Sequence, residues 1–239
     1  MTLPAKRIAS GLVYACMWLL DDNKRASLQK TISEWSNSYH FVSNWRVKGT
    51  VQEVYEILFE DKALTKWWPS VYLDVKVLDP GEEKQDQKGL GKIVSLKTKG
   101  WLPYILNWKF RVVETNKPFR FLIESWGDLN GTGVWQLKQN GQFVDVLFDW
   151  RVRADKAFIR YLSFILKPVF SANHAWSMQR GEESLRLELL RRRAKSEAER
   201  KRIPAPPGPT PSNPLPYVAG AVLGVWLVSK VFNLLTNKK

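Results

Sequence analysis

The central part of the chain alternates between two hydrophobic periods, one typical of strands and one typical of helices. The clearest strand pattern lies near residue 150, where apolar and charged residues alternate. Its apolar positions are Val144, Val146, Phe148, Trp150 and Val152, and its charged positions are Asp145, Asp149, Arg151 and Arg153. This pattern predicts a long antiparallel sheet with one face buried and one face in water.

Shorter alternating runs predict further strands before this one. They cover residues 41–47, 73–77, 94–96, 108–112, 119–123 and 135–137. We expect Leu73 and Phe119 to lie on the buried face, because they share the phase of the apolar positions that follow them. Asn140-Gly141 is a strong hairpin motif and should join the last two strands.

Helical patterns flank the predicted strands. Thr50 and Glu53 form a capping box that should start a short helix, and a second short turn should end before Pro69. A long helical region covers residues 158–193, and we expect Pro168 to kink or restart it. After Pro168, a stripe at spacings of three and four should face the sheet. Its members are Phe170, His174, Met178, Gly181, Leu185 and Leu189. The element order predicts an α+β fold in which a curved antiparallel sheet wraps one long C-terminal helix.

Several short segments of the sequence, taken in their order along the chain, resemble one superfamily. They are WRVKGTVQEVYEIL, TKWWP, KGLGKIVSL, GTGVWQL, DWRVRADK and LKPVFSANHAWSMQRGEESLRLEL. With these motifs, residues 39–193 resemble the polyketide cyclase/dehydrase and lipid-transport superfamily, a START-related, SRPBCC-type group with the helix-grip fold. The resemblance implies a deep cavity between sheet and helix that holds a hydrophobic small molecule.

The aromatic composition agrees with such a cavity. The chain has twelve tryptophans, and the predicted sheet face with Trp108, Trp135, Phe148 and Trp150 opposite the helix stripe offers more bulky aromatic surface than close packing easily consumes. The predicted ligand-binding residues are Trp108, Phe110, Trp135, Phe148 and Trp150 on the sheet, Phe170, His174 and Met178 on the helix, and Trp67, Trp68 and Tyr72 at the mouth. For each residue alone, the alternative is ordinary core packing.

The residues that usually carry chemistry are scarce. Cys16 is the single cysteine and His40 and His174 are the only histidines, which excludes a disulfide framework and a cysteine-based zinc cluster. We expect no metal and no cofactor. His174 is either a buried structural histidine or a group that orients a ligand or acts as acid or base. With no catalytic residue assigned, the sequence favours a binding module, and a cyclase- or hydrolase-like enzyme on a lipophilic substrate is the alternative.

The C-terminal part changes composition twice. The net charge is +14, and residues 186–202 contain eight basic and three acidic residues. Residues 203–216 contain seven prolines, and residues 217–235 are apolar with one charge, Lys230. We interpret residues 194–216 as a basic and Pro-rich linker and 217–235 as a transmembrane anchor. The alternative for 217–235 is an apolar helix that lies on the domain or on the membrane surface.

A membrane-tethered binding protein, with ligand transfer as an extension, is therefore the favoured function. The predicted membrane-surface residues are Arg191, Arg192, Arg193, Lys201 and Arg202. The positive-inside tendency predicts a single-pass protein with its domain on the cytoplasmic side, and we expect no nucleic-acid partner. Gly220 and Gly224 form a G-x-x-x-G pair that allows a homo-oligomer. The N-terminal segment 1–38 is apolar and is read as a signal, an interfacial helix or part of the domain.

Overall fold

The computed structural model describes Asn23, residues 37–84 and residues 87–211, without the side chains of residues 157–166. The predicted N-terminal segment falls almost wholly outside these residues, and the predicted anchor 217–235 with Gly220 and Gly224 falls wholly outside them. Among the helices that the structure does describe, none has the length and apolar character needed to cross a bilayer.

The described chain forms seven strands and four α-helices. The strands are β1 Ser38–Lys48, β2 Tyr72–Asp79, β3 Ile93–Thr98, β4 Leu106–Asn116, β5 Arg120–Gly127, β6 Leu129–Asn140 and β7 Phe143–Ala154. The helices are α1 Val51–Phe59, α2 Leu64–Trp67, α3 Ala157–Arg193 and α4 Glu197–Arg202, and a 3-10 turn at Asp61–Ala63 precedes α2. This is the predicted α+β order, in which a long helix follows the last strand.

All seven strands form one antiparallel sheet in the order β1-β7-β6-β5-β4-β3-β2. The first two strands of the chain are therefore the two edges. The predicted hairpin joins β6 to β7, and Gly141 takes a positive φ of 58° in its two-residue turn. The register places Phe148 beside Trp135, so large aromatic side chains from neighbouring strands meet on the face that α3 covers.

The capping box forms as predicted and also anchors the end of α3. The backbone N–H of Glu53 donates to Thr50 Oγ1 over 3.3 Å, and the N–H of Thr50 donates to Glu53 Oε2 over 2.8 Å. Arg193, the last residue of α3, donates to the same carboxylate over 2.7 Å. This hydrogen bond from Arg193 lowers the pKa of Glu53 to about 2.

Helix α3 runs continuously through Pro168, so the predicted restart at this residue is wrong. A proline removes one backbone donor, and the packing of α3 across the sheet outweighs that loss. The predicted inward stripe is correct, because Phe170, Met178, Leu185 and Leu189 are buried.

Two strand predictions are wrong. Leu73 is 37% exposed, because a register shift between Tyr72 and Asp74 reverses the side-chain phase at the start of β2. Phe119 is 50% exposed and precedes β5, because its backbone N–H closes a tight turn onto the carbonyl of Asn116. The alternation of apolar and polar residues in a sequence does not reveal a β-bulge. It also does not reveal that the first residue of an alternating segment belongs to a turn.

A buried ion pair joins the turn before α2 to the sheet. Lys92 Nζ lies 2.5 Å from Asp61 Oδ2, and both side chains are nine-tenths buried. The ammonium also donates to the carbonyl of Phe59 over 2.9 Å and lies 3.7 Å from the centre of the Phe59 ring. The pair fixes the approach to α2 and hence the corner that follows it.

Candidate functional site

A cavity of about 140 Å³ lies between the concave face of the sheet and α3. Its walls come from four parts of the fold: the strands, the middle of α3, the corner between α2 and β2, and the start of the β3–β4 loop. The principal lining residues are Tyr39, Phe41, Trp68, Tyr72, Lys99, Gly100, Tyr104, Trp108, Trp135, Phe148, Trp150, Phe170, Asn173, His174, Ser177 and Met178. No Asp or Glu is among the described residues that line it.

The sheet side of the cavity is a nearly continuous aromatic wall. The rings of Trp135 and Phe148 stack with centroids 4.1 Å apart. Trp150 follows at 5.8 Å from Phe148, and Trp108 lies 5.8 Å from Trp150. Alternate positions of β4, β6 and β7 supply these rings, which is why they face one side of the sheet. Such a wall presents flat, polarisable surface to a ligand.

His174 contacts this wall from the helix. Its imidazole stacks on the Phe41 ring with centroids 3.9 Å apart and an angle of 9° between the planes. The Trp150 ring lies 5.5 Å away. Burial lowers the pKa of His174 to about 4, so the imidazole is neutral at neutral pH.

Three buried nitrogen atoms of cavity-lining residues have no hydrogen-bond partner in the part of the chain that the structure describes. They are Nε1 of Trp68, Nε1 of Trp150 and Nε2 of His174. Trp108 differs, because its Nε1 donates to Thr98 Oγ1 over 2.9 Å. An indole N–H only donates, so Trp68 and Trp150 are suited to a group that accepts a hydrogen bond.

We define the cavity rim as Lys99, Gly100 and the loop at residues 101–105. Asn173 of α3 holds this loop, because its Oδ1 accepts from the backbone N–H of Leu102 over 3.1 Å. Gly100 lies against the same side chain, and a Cβ at this position would come within 2.2 Å of Asn173 Oδ1. The close approach of loop and helix therefore requires glycine at position 100.

Nine of the eleven predicted ligand-binding residues line the cavity. They are Trp68, Tyr72, Trp108, Trp135, Phe148, Trp150, Phe170, His174 and Met178. Trp67 and Phe110 do not; both line a separate space of about 40 Å³ beside the Lys92–Asp61 pair. Trp67 is fully buried, so its predicted place at the mouth is wrong.

The sequence reasoning missed several residues that line the cavity. Tyr39 and Phe41 lie in the same phase of β1 and were detectable from its alternation. Gly100, Tyr104 and Asn173 meet only through the packing of the β3–β4 loop on α3, which no local pattern reports. The one available sign was the apolar composition of that loop, Trp-Leu-Pro-Tyr-Ile.

Three of the predicted membrane-surface arginines have partners within the described chain. Arg191 donates to the carbonyl of Pro204, Arg192 pairs with Glu60 and Glu188, and Arg193 pairs with Glu53. No ion pair is seen in the described chain for the other two, Lys201 and Arg202. The first three therefore fasten the end of α3 to its surroundings.

The described residues contain no group of His, Cys, Asp or Glu side chains arranged to hold a metal. His174 is the one histidine on the cavity wall within this part of the chain. An aromatic cavity with one neutral imidazole is suited to binding a hydrophobic molecule with a polar end.

Comparison with known proteins supports the fold. The Zhui aromatase/cyclase from Streptomyces sp. R1128 superposes with a TM-score of 0.50 at 15% identity, over 67% of this chain and 98% of that chain. A protein from Thermus thermophilus gives 0.49 at 13% identity over 62% and 97% of the chains. Norcoclaurine synthase from Thalictrum flavum, in complex with dopamine and hydroxybenzaldehyde, gives 0.47 at 12% identity over 69% and 94%. No family model and no curated protein sequence matches the chain. The similarity to the aromatase/cyclase confirms the predicted helix-grip fold.

Proposed function

We propose that the domain binds a hydrophobic small molecule in the aromatic cavity and is tethered to a membrane by residues 217–235. The cavity between the sheet and α3 is the observation that carries the binding part. It is enclosed by aromatic side chains and contains buried nitrogen atoms without partners among the described residues. The fold shared with an aromatase/cyclase supports the same class of ligand.

The size of the cavity limits the ligand. A volume of about 140 Å³ is close to that of the engineered protein cavities of roughly 150 Å³ that bind benzene. One ring, or a short stretch of an acyl chain, therefore fills the space. A longer molecule would extend outward past the rim, at Tyr104 and Gly100.

The unpaired polar groups of the cavity indicate which end of the ligand lies deepest in it. Nε1 of Trp150 donates, and neutral His174 donates or accepts at Nε2 according to its tautomer. A carbonyl oxygen satisfies both groups when Nε2 carries the proton, and a hydroxyl group satisfies both in either tautomer. A buried donor without a partner costs about 1 to 3 kcal/mol. The favoured ligand is thus hydrophobic with one oxygen at its buried end.

The membrane part rests on the sequence beyond Pro211. Residues 217–235 contain one charge in nineteen positions, which approaches the length that spans the hydrocarbon core of a bilayer. The basic residues before the Pro-rich segment outnumber the lysines after the apolar one, which favours a single-pass protein with a cytoplasmic domain. A tether of this kind raises the frequency with which the domain meets lipophilic molecules.

A cavity-filling variant tests the binding proposal. Val152→Phe adds a ring to the cavity wall, whereas Val42→Phe makes the same change at a site that is 54% exposed. The full chain, purified in detergent, would be titrated with anilinonaphthalene sulfonate and analysed by native mass spectrometry for a co-purified ligand. We expect Val152→Phe to lose most dye binding and any co-purified mass, and Val42→Phe to retain both. Equal binding by the two variants would refute the cavity as the site.

A cyclase- or hydrolase-like enzyme is the second candidate, and His174 is the observation that favours it. The neutral imidazole keeps a nitrogen lone pair inside the cavity, which is the group that a general base requires. His174→Asn retains a hydrogen-bonding group but cannot act as a base at that pH. If the protein is an enzyme, this variant keeps the dye affinity and loses turnover of the co-purified molecule; a wild-type chain that leaves that molecule unchanged removes the enzyme proposal.

A further inference from the structure

The Pro-rich segment, defined here as residues 203–211, is packed against the domain. At its start, Arg191 donates to the carbonyl of Pro204. At its end, Lys99 Nζ donates to the carbonyl of Thr210 over 2.7 Å, and Thr210 Oγ1 donates to the carbonyl of Gly100 over 2.9 Å. The side chain of Thr210 is half-buried. The segment is therefore held at both ends.

These contacts carry the chain from the last turn of α3 back to the middle of this helix. Arg191 lies in the last turn of α3, whereas Asn173, which holds the rim, lies eighteen residues earlier, about 27 Å away along the helix axis. An extended Pro-rich chain covers about 19 Å between Pro204 and Thr210, and the long Arg191 side chain helps to bridge the remainder. We define the basic end of α3 as Arg191, Arg192 and Arg193. The chain therefore leaves the described structure beside the cavity rim and not beside this basic end.

The rim end of the domain is also rich in apolar residues. The loop at residues 101–105 reads Trp-Leu-Pro-Tyr-Ile, and Ile105 is 43% exposed. The Tyr104 ring contacts Phe170 of α3 at 6.2 Å, which joins this loop to the helix. Aromatic and aliphatic residues of this kind are typical of surfaces that enter the membrane interface.

The basic end has the opposite character. The guanidinium groups of Arg191, Arg192 and Arg193 already contact the domain or the Pro-rich segment. This end lies about 27 Å along α3 from the rim, and charges act over only about 8 Å at physiological ionic strength. A membrane that receives the chain soon after Pro211 therefore meets the rim first.

We propose that the cavity rim is the surface that faces the lipid bilayer, so that the Pro-rich segment orients the cavity opening toward the membrane. This inference rests on the proposed tether, because the occupant of the surface is the bilayer into which residues 217–235 insert. Five residues separate Pro211 from Tyr217, where the proposed anchor begins, and an extended chain between these two residues spans about 20 Å. The rim is thereby kept near the headgroups, and a hydrophobic ligand passes between cavity and bilayer without crossing bulk water.

Two matched labels test the orientation. In a Cys16→Ser background, Ile105→Cys places a single thiol on the rim and Leu190→Cys places one at the basic end; these aliphatic side chains are 43% and 52% exposed. Each full-length variant would be labelled with nitrobenzoxadiazole and reconstituted into phosphatidylcholine–phosphatidylglycerol vesicles. Flotation in a density gradient reports the tether. Fluorescence intensity and quenching by a headgroup-level spin-labelled lipid report the orientation.

We expect both variants to float with the vesicles and only the Ile105 label to show a several-fold intensity increase and strong quenching. Stronger quenching of the Leu190 label, or equal quenching of the two, in chains that float would overturn the orientation and leave the tether intact. Variants that remain at the bottom of the gradient would overturn the tether, and the orientation with it. The two failures are therefore distinguishable.

Loosening the Pro-rich segment provides a second measurement. Lys99→Met with Thr210→Val removes both side-chain hydrogen bonds that hold the end of this segment. We expect this double variant to float and to lose the difference in quenching between the two labels. An unchanged difference would show that the Pro-rich segment does not set the orientation.

Discussion

At the scale of single residues, the position of His174 in the cavity determines its protonation state. Its imidazole is stacked on Phe41 and is removed from water, so the folded chain holds it neutral. Protonation inside the cavity would place a charge among aromatic rings with no carboxylate on the described walls to offset it. Folding and ligand binding therefore both favour the neutral form.

The pH dependence of stability follows from this residue. The pKa of His174 falls from 6.5 to about 4 on folding, so between these values the unfolded chain binds a proton that the folded chain does not. We expect His174 alone to lower the free energy of unfolding by about 3 kcal/mol as the pH falls from about 6.5 to 4. Urea denaturation of the wild-type chain and of His174→Phe at several pH values measures this contribution.

His174→Phe keeps a ring against Phe41 and removes the titrating group, so its unfolding free energy should depend less on pH over this interval. His40→Gln changes the other histidine, which lies at an exposed site, and should retain the contribution of His174. Parallel profiles for the wild-type and His174→Phe chains would contradict the assignment of this effect to His174.

At the scale of secondary-structure elements, the contact between α3 and the corner after α2 shapes one side of the cavity. Gly181 of α3 faces the indole of Trp68, and a Cβ at this position would come within 2.3 Å of Trp68 Cζ2. The absence of a side chain at Gly181 lets the indole lie close against the helix, where it also lines the cavity. Glycine in a helix interior is intrinsically unfavourable, so packing decides this position.

Gly181→Ala should therefore destabilise the protein although alanine is the better helix former. The helical preference favours alanine by about 1 kcal/mol, and overpacking a core opposes it by about 1 to 3 kcal/mol. We expect a net loss of about 1 kcal/mol, measured by urea denaturation, together with weaker dye binding because Trp68 is displaced. Gly208→Ala, where no heavy atom lies within 4 Å of the new Cβ, is the matched control and should be neutral. A stabilised Gly181→Ala chain would show that Trp68 moves away at no cost.

The sequence predicted the strands and helices better than it predicted the corner between α2 and β2. Alternation along β7 placed Phe148 and Trp150 on the cavity side, because the strand period is a local property of the backbone. Trp67 and Trp68 are neighbours at the end of one short helix, and no local period says which of them reaches the cavity. Their directions depend on Gly181, more than one hundred residues later, and on the ion pair of Lys92 with Asp61. The contact of Thr210 with Lys99 was equally unpredictable, since nothing in a proline-rich sequence indicates which part of the domain it contacts.

At the scale of the whole molecule, we expect the domain and its C-terminal appendage to be separable in function. A chain that ends at Pro211 keeps every described contact of the Pro-rich segment, whereas a chain that ends at Ala194 loses them. We expect the first chain to bind dye like the full-length protein and to stay at the bottom of a vesicle flotation gradient. The shorter chain should in addition lose about 1 kcal/mol of unfolding free energy for each lost hydrogen bond.

Flotation of the chain that ends at Pro211 would contradict the assignment of the tether to the residues beyond it. Equal unfolding free energies for the two truncated chains, measured by urea denaturation, would show that the contacts of Thr210 with Lys99 and Gly100 add nothing to stability.

The order of the strands has a consequence for the range of ligands. Because β1 and β2 are the two edges of an open sheet, the opening between them is closed by side chains of α3, of the corner after α2 and of the β3–β4 loop. Within the described chain, no ladder of backbone hydrogen bonds crosses that seam. The interior can therefore dilate by sliding α3 and Tyr104 apart while all six strand pairings stay intact. A ligand larger than one ring would then be admitted at the cost of side-chain contacts and of the Leu102–Asn173 hydrogen bond, which sets a graded rather than an absolute limit on its size.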